Sequence, residues 1–259
     1  MAFFEMHYHS DALKMGVCVN VIIPESAKTM IGMQANGEGT YKTLYLLHGL
    51  SDDHTIWMRR TSIERYAAEY GIAVVMPGVT RSWYTDTAYG ANYFTFITQE
   101  LPKVCRGFFK GMSPKREDTL IAGLSMGGYG ALKAAMCCPE TFGGCASFSG
   151  AFDIFTTRRL ATLTEWQGIF GFDLQDPADL QGSKHDVYAL VKKNAESGVR
   201  FPKLYLWCGE SDGLLAVNRQ MHTLLDVCKI PHFYEESEGN HSWKWWDLHI
   251  QDALKYLLG

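Results

Sequence analysis

A chain of 259 residues is long enough for one large domain with a substantial buried core and short for two domains of ordinary size. Apolar residues at 47% and charged residues at 20% give the balance of a soluble globular protein. The net charge of -4 carries no signature of a nucleic-acid partner or an anionic membrane surface.

The opening segment, "MAFFEMHYHSD", has no basic leader, no long apolar run and no small-residue cleavage site. The expected location is therefore the cytoplasm. Two alternating runs, Phe3–His9 and Met15–Ile23, flank the turn-like "SDALKMG" and predict an antiparallel hairpin. Pro24–Gly39 is polar and glycine-bearing and reads as a surface loop.

Beyond it the pattern changes. Thr43–Leu47, Ile72–Met76, Thr119–Ala122, Cys145–Phe148 and Lys203–Cys208 are short, mostly apolar runs ending near a glycine or proline. Such runs fit strands buried on both faces of a mainly parallel sheet. Ser62–Tyr70, Phe96–Phe109, Met126–Cys138, Val217–Cys228 and Ser242–Leu258 have helical character. Strand alternating with helix predicts a three-layer α/β sandwich, residues 1–259, with right-handed crossovers. Phe152–Gly198 breaks the rhythm and reads as a small, partly helical, cap-like insertion, since a structureless loop of that length is rare in a compact domain. The seven cysteines lie mostly in apolar runs and form no CxxC pair, so they read as reduced thiols. No His/Cys cluster has zinc spacing, and neither a metal nor a cofactor is expected.

The segment "GLSMGGYG", residues 123–130, follows the run "TLIA" and opens a helix. As a bare pattern, G-x-S-x-G is weak. In a strand–turn–helix context it is the form of a nucleophile elbow. A serine on so tight a turn has a strained backbone, and Gly123 and Gly127 let strand and helix approach closely. The helix N-terminus also favours negative charge developing beside Ser125.

A serine hydroxyl needs a base. Among nine histidines, His7 and His9 lie in the hairpin, His54 and His185 in loops, His222 and His249 in helices, and His232 at the start of the last strand-like run. His241 follows that strand and a polar loop, and could reach over the strand ends towards Ser125. The order Ser…Asp/Glu…His places the orienting acid between them. Asp212, just past "KLYLWC", is preferred, with Glu210 as its direct competitor and Asp173, Asp176, Asp179 and Asp186 as weaker candidates. Oxyanion donors are expected from the backbone N–H groups of Met126 and of Leu50 in "LLHGLSDDHTIW", with His48 a packing and hydrogen-bonding residue. Trp57, Trp83, Tyr84 and Trp243 are candidate substrate-binding aromatics, each able to serve equally as packing.

"YLLHGLSDDHTIWMRRTSIERYA", "GLSMGGYGALK", "CGESD" and "GNHSWKWWD" together resemble the esterase D family of α/β-hydrolases, and within it the bacterial tributyrin, acetyl and feruloyl esterases. The resemblance spans nearly the whole chain. It implies an α/β-hydrolase fold with Ser125 as nucleophile, Asp212 as acid, His241 as base, and Leu50 and Met126 as the oxyanion hole. It further implies a carboxylesterase acting on a small-molecule or saccharide ester, and it is compatible with a homo-oligomer. The alternatives are a feruloyl or acetyl-polysaccharide esterase, a thioesterase of the S-formylglutathione type, and a fold retained for binding alone.

Overall fold

The computed structural model describes residues 1–26, 29, 31, 39–171 and 175–259, so most of the Pro24–Gly39 loop, and Asp173, lie outside the described residues. In chain order the strands are β1 (Ala2–Ser10), β2 (Met15–Ile23), β3 (Thr43–Leu47), β4 (Ala73–Pro77), β5 (Thr119–Leu124), β6 (Gly144–Phe148), β7 (Lys203–Gly209) and β8 (Phe233–Ser237). They form one sheet in the order β1-β2-β4-β3-β5-β6-β7-β8. The hairpin β1–β2 is antiparallel, β2 joins β4 antiparallel, and every later pairing is parallel.

The helices are α1 (Ile56–Arg60), α2 (Ile63–Tyr70), α3 (Tyr93–Thr95), α4 (Leu101–Phe108), α5 (Met126–Cys137), α6 (Leu163–Phe170), α7 (Pro177–Leu180), α8 (Val187–Ser197), α9 (Leu215–Val227) and α10 (Trp243–Leu258). A π-helical turn, Phe96–Glu100, fuses α3 to α4. Pro102 supplies the reason, because a proline lacks the N–H that would hold the preceding turn and its ring crowds that turn's carbonyl.

The central strands are buried on both faces because their side chains alternate between two cores. Tyr45, Leu47 and Ile121 face one core, which α4, α5, α8 and α9 cover. Leu44, Leu46, Leu120 and Ala122 face the other, covered by α1, α2 and α10. The β5–β6–β7–β8 run is parallel, so the loops after all four strands open at the same edge of the sheet. Segments following C-terminal strand ends are where α/β folds place their chemistry.

Within residues 152–198, Val187 and Val191 of α8 are buried in the first core, and α8 packs against α5 and α9. The end of that segment is thus part of the helical layer. Its earlier part, with a 3-10 turn (Ile154–Leu160) and α6, leans on the loop after β4 through Arg81–Glu165 and the Ala88 N–H to Ile169 carbonyl bond. All seven cysteines are free; Cys105, Cys145 and Cys208 are buried, whereas Cys137 is exposed.

Candidate active site

Ser125 stands between the end of β5 and the start of α5 with φ 55 and ψ -115. This left-handed backbone is costly for a residue with a Cβ and persists only where its surroundings over-determine it. They do so here. The Ser125 N–H donates to the Phe148 carbonyl at 2.9 Å, and its carbonyl accepts from the N–H groups of Tyr129 and Ala151, both at 3.1 Å. The two glycines of the motif make the turn possible. A Cβ on Gly123 would lie 2.4 Å from the Gly127 carbonyl oxygen, and one on Gly127 would lie 2.6 Å from that of Leu47. Strand, helix and the end of β3 thus meet at a distance that no side chain fits.

Asp212 lies in the loop after β7 and His241 in the loop after β8. The structure joins them: Nδ1 of His241 is 2.9 Å from Oδ2 and 3.1 Å from Oδ1 of Asp212. The Asp212 side chain is wholly buried, while that of His241 is 38% exposed, so one ring nitrogen is held by the acid and the ring keeps access to solvent. Burial works against the charge on Asp212, but the His241 hydrogen bond, the field of its ring, the Leu214 N–H and the Ser149 hydroxyl outweigh it. The carboxyl is held below the ordinary aspartate range. Trp246 packs edge-on against the His241 ring at 4.9 Å and donates its indole N–H to Ser149 Oγ at 3.1 Å. Ser149, at the end of β6, therefore links the acid to the aromatic that braces the base. It also has a left-handed φ of 50, and no sequence pattern singled it out. Glu210, the competing acid, is exposed and has no bond to His241.

The "HGL" turn sits against the elbow, as a Cβ on Gly49 would be 3.9 Å from Ser125 Cβ. His48 is fixed in one tautomer. Its Nε2 accepts the Val79 N–H at 3.0 Å, so its Nδ1, 2.7 Å from the Gly49 carbonyl, must carry the proton. Burial first of all pushes its pKa down to about 4, which makes it a neutral structural residue as expected. Asp52 donates its backbone N–H to the Gly49 carbonyl at 3.2 Å, and its carboxyl lies within electrostatic reach of His241; burial raises its pKa. Met126 opens α5, where a helix leaves its first N–H groups without intrahelical partners. Among the described residues, neither the Met126 nor the Leu50 N–H is taken up by another backbone or side-chain acceptor.

Three of the four candidate aromatics take the packing alternative. Trp57 is 1% exposed, donates its indole N–H to the Leu47 carbonyl and packs on Phe148 and Trp243. Trp83 and Tyr84 are equally buried; Trp83 packs on Tyr129, and Tyr84 donates its hydroxyl to the His48 carbonyl. With almost no exposed surface, these three serve as packing beside the site. Trp243 is half-buried at the start of α10, packed on Trp57 and Trp246.

This topology, with a serine on a strained elbow after a central strand and a buried acid bonded to a part-exposed histidine after two later ones, defines an α/β-hydrolase. The chain belongs to the putative esterase family, whose model matches residues 10–257, and is accordingly a carboxylic ester hydrolase. An acetyl esterase of Caldicellulosiruptor saccharolyticus is 31% identical over 266 residues, 99% of this chain and 98% of its own. Two solved Staphylococcus aureus structures superpose over all of this chain. The fluorophosphonate-binding serine hydrolase FphF, with substrate bound, has 34% identity, TM-score 0.89 and 98% of its own chain covered. The S-formylglutathione hydrolase FrmB has 33% identity, TM-score 0.87 and 99% covered. Among the described residues no helix is long and apolar enough to cross a membrane.

Proposed function

We propose that this protein is a serine carboxylesterase that removes short acyl groups from small-molecule or saccharide esters through an acyl-enzyme on Ser125. The observation that carries the reading is the placement, at the same sheet edge, of a strained Ser125 and of a buried Asp212 bonded to a part-exposed His241. In this mechanism His241 Nε2 takes the Ser125 proton as Oγ attacks the ester carbonyl carbon. Asp212 holds the proton on Nδ1 and stabilises the imidazolium. The N–H groups of Leu50 and Met126 receive the oxyanion, and His241 then returns the proton to the leaving alcohol. Water, deprotonated by the same imidazole, attacks the acyl carbon and frees Ser125.

A short acyl group is favoured by the acetyl esterase relative, which matches over nearly the whole of both chains. Burial of Trp57, Trp83 and Tyr84 points the same way, since it removes three of the four aromatics a hydroxycinnamoyl groove would use. The similarity to FrmB supports a second reading, hydrolysis of an S-acyl thioester by the same residues. A cytoplasmic location is part of the proposal and agrees with seven free thiols.

The test is a comparison of kcat/KM on p-nitrophenyl acetate, butyrate and octanoate, methyl ferulate and S-formylglutathione. Acetate or butyrate should lead by at least tenfold. A lead by the glutathione thioester would replace the ester reading with the thioester one, and a lead by methyl ferulate would overturn both.

A further inference from the structure

At the opposite edge of the sheet, the last turns of α9 and the start of β8 bring three side chains together. His222 and Asp226 stand one helical turn apart on α9 and so share a face. His232 comes from the segment leading into β8. One nitrogen from each ring and one carboxylate oxygen all lie within 4.8 Å of one another.

The proton positions make this more than a crowd of polar groups. Nδ1 of His232 is 2.8 Å from the Ile230 carbonyl oxygen, a pure acceptor, so that nitrogen carries the hydrogen. Its Nε2 is then a bare lone pair, on a side chain only 4% exposed, aimed at His222 Nδ1 2.8 Å away. If neutral His222 donates to it from Nδ1, its own Nε2 becomes a lone pair facing Asp226 Oδ2 at 3.5 Å. Whichever neutral tautomer His222 adopts, two acceptors are left face to face. A cation at the centre removes the conflict, because each lone pair then has a partner.

The surroundings resemble the support of a metal ligand set. A histidine ligand commonly donates its other N–H to a backbone carbonyl, which fixes the tautomer and ring orientation. The His232–Ile230 bond does this. The His222 ring is stacked on Tyr234 at 4.2 Å, and Tyr234 is tied by its hydroxyl to Glu236, itself paired with Arg219. Both rings are therefore held before any ion arrives, while Asp226 is exposed and free to turn inward.

We propose that His222, Asp226 and His232 form a binding site for a divalent transition-metal ion of the zinc type. Two imidazoles and one carboxylate are the donor set such borderline ions take, with solvent completing a tetrahedron. The site clips α9 to the edge strand β8. These are the elements that follow Asp212 and precede His241, so its role is to hold the scaffold of the acid–base pair and not to touch the ester. Sequence spacing hid it, because the third ligand comes from a separate element and no cysteine takes part.

The test is isothermal titration of metal-stripped protein with Zn2+, together with melting curves. Wild type should bind one Zn2+ with a micromolar Kd and melt about 5–10 °C higher when free Zn2+ is 100-fold above Kd. His222→Gln and Asp226→Asn, both at accessible positions, should each weaken binding at least tenfold, whereas His241→Ala should bind like wild type. Absence of binding below about 1 mM, or equal affinity in wild type and the two α9 variants, would overturn the proposal. Loss of binding in His241→Ala alone would place the ion at the active site and overturn it as well.

Discussion

Substituting alanine for Gly123 tests the elbow through its packing, without touching a reactive atom. The new Cβ would lie 2.4 Å from the Gly127 carbonyl oxygen, 2.5 Å from its carbon and 2.9 Å from Leu47 Cβ. The first two are backbone atoms of the opening turn of α5, so no rotamer change can relieve them. The strand and helix must separate by more than about half an ångström, at the upper end of the 1–3 kcal/mol that overpacking ordinarily costs. About 3 kcal/mol in a chain of this size lowers Tm by roughly 6–12 °C. The same shift moves Ser125 relative to Leu50 and Met126, so kcat should fall at least tenfold in whatever protein remains folded. Gly107→Ala is the control: nothing lies within 4 Å of its added Cβ, and within α4 it should gain about 0.5–1 kcal/mol. Differential scanning fluorimetry and p-nitrophenyl acetate turnover read both quantities. A Gly123→Ala protein that melts within 1 °C of wild type at full activity would refute the close approach on which the elbow rests.

Asp212→Asn leaves the shape of the site intact but reverses the donor–acceptor match with His241, and kcat should fall by about 10^2 to 10^4 with KM little changed. A kcat within threefold of wild type would transfer the role of acid elsewhere. Because the folded-state pKa of Asp212 is depressed, its contribution to stability is complete above the unfolded value near 3.8. It is lost as pH falls through the lower folded value, so the stability gap between wild type and Asp212→Asn should close below pH 4 in urea melts. His48 works in a higher window. Its neutral form is favoured by folding, so stability is full above about pH 6.5 and declines as pH drops towards about 4, by about 3 kcal/mol in all. His48→Gln should be much flatter over that range; parallel curves would show that burial does not hold His48 neutral. Ser149→Ala removes the hydroxyl that accepts the Trp246 indole N–H and favours the charged form of buried Asp212, and should cost about 1–3 kcal/mol of stability, with a several-fold loss of kcat. Unchanged melting would detach Ser149 from the acid.

The sheet was legible because its central strands are buried on both faces. Thr43–Leu47 and Met15–Ile23 coincide with their predicted runs, and the others differ by one or two residues at their ends. α1 was hidden because five residues, Ile56–Arg60, are too few to display a helical period. The elbow and the Asp212–His241 pair were readable since each follows a recognisable strand. Trp57, Trp83 and Tyr84 could not be placed, because an aromatic carries the same letter whether it lines a cleft or fills a core. Lys133 shows the limit most clearly. A lysine within α5, it is 3% exposed and bonded to the Tyr84 carbonyl and the Thr85 hydroxyl, with its pKa pushed down to about 7 by burial, and nothing in its sequence setting marks that burial. Ser149 and the His222–Asp226–His232 cluster depend on contacts between distant elements, which no local pattern carries.

The proposed mechanism stands on Ser125 as nucleophile and His241 as its base. Mass spectrometry of the protein after brief treatment with a fluorophosphonate measures this directly. One adduct should form, on the peptide that contains Ser125, absent from Ser125→Ala and formed at least 100-fold more slowly in His241→Ala. An adduct on another residue, or equal labelling of wild type and Ser125→Ala, would contradict it.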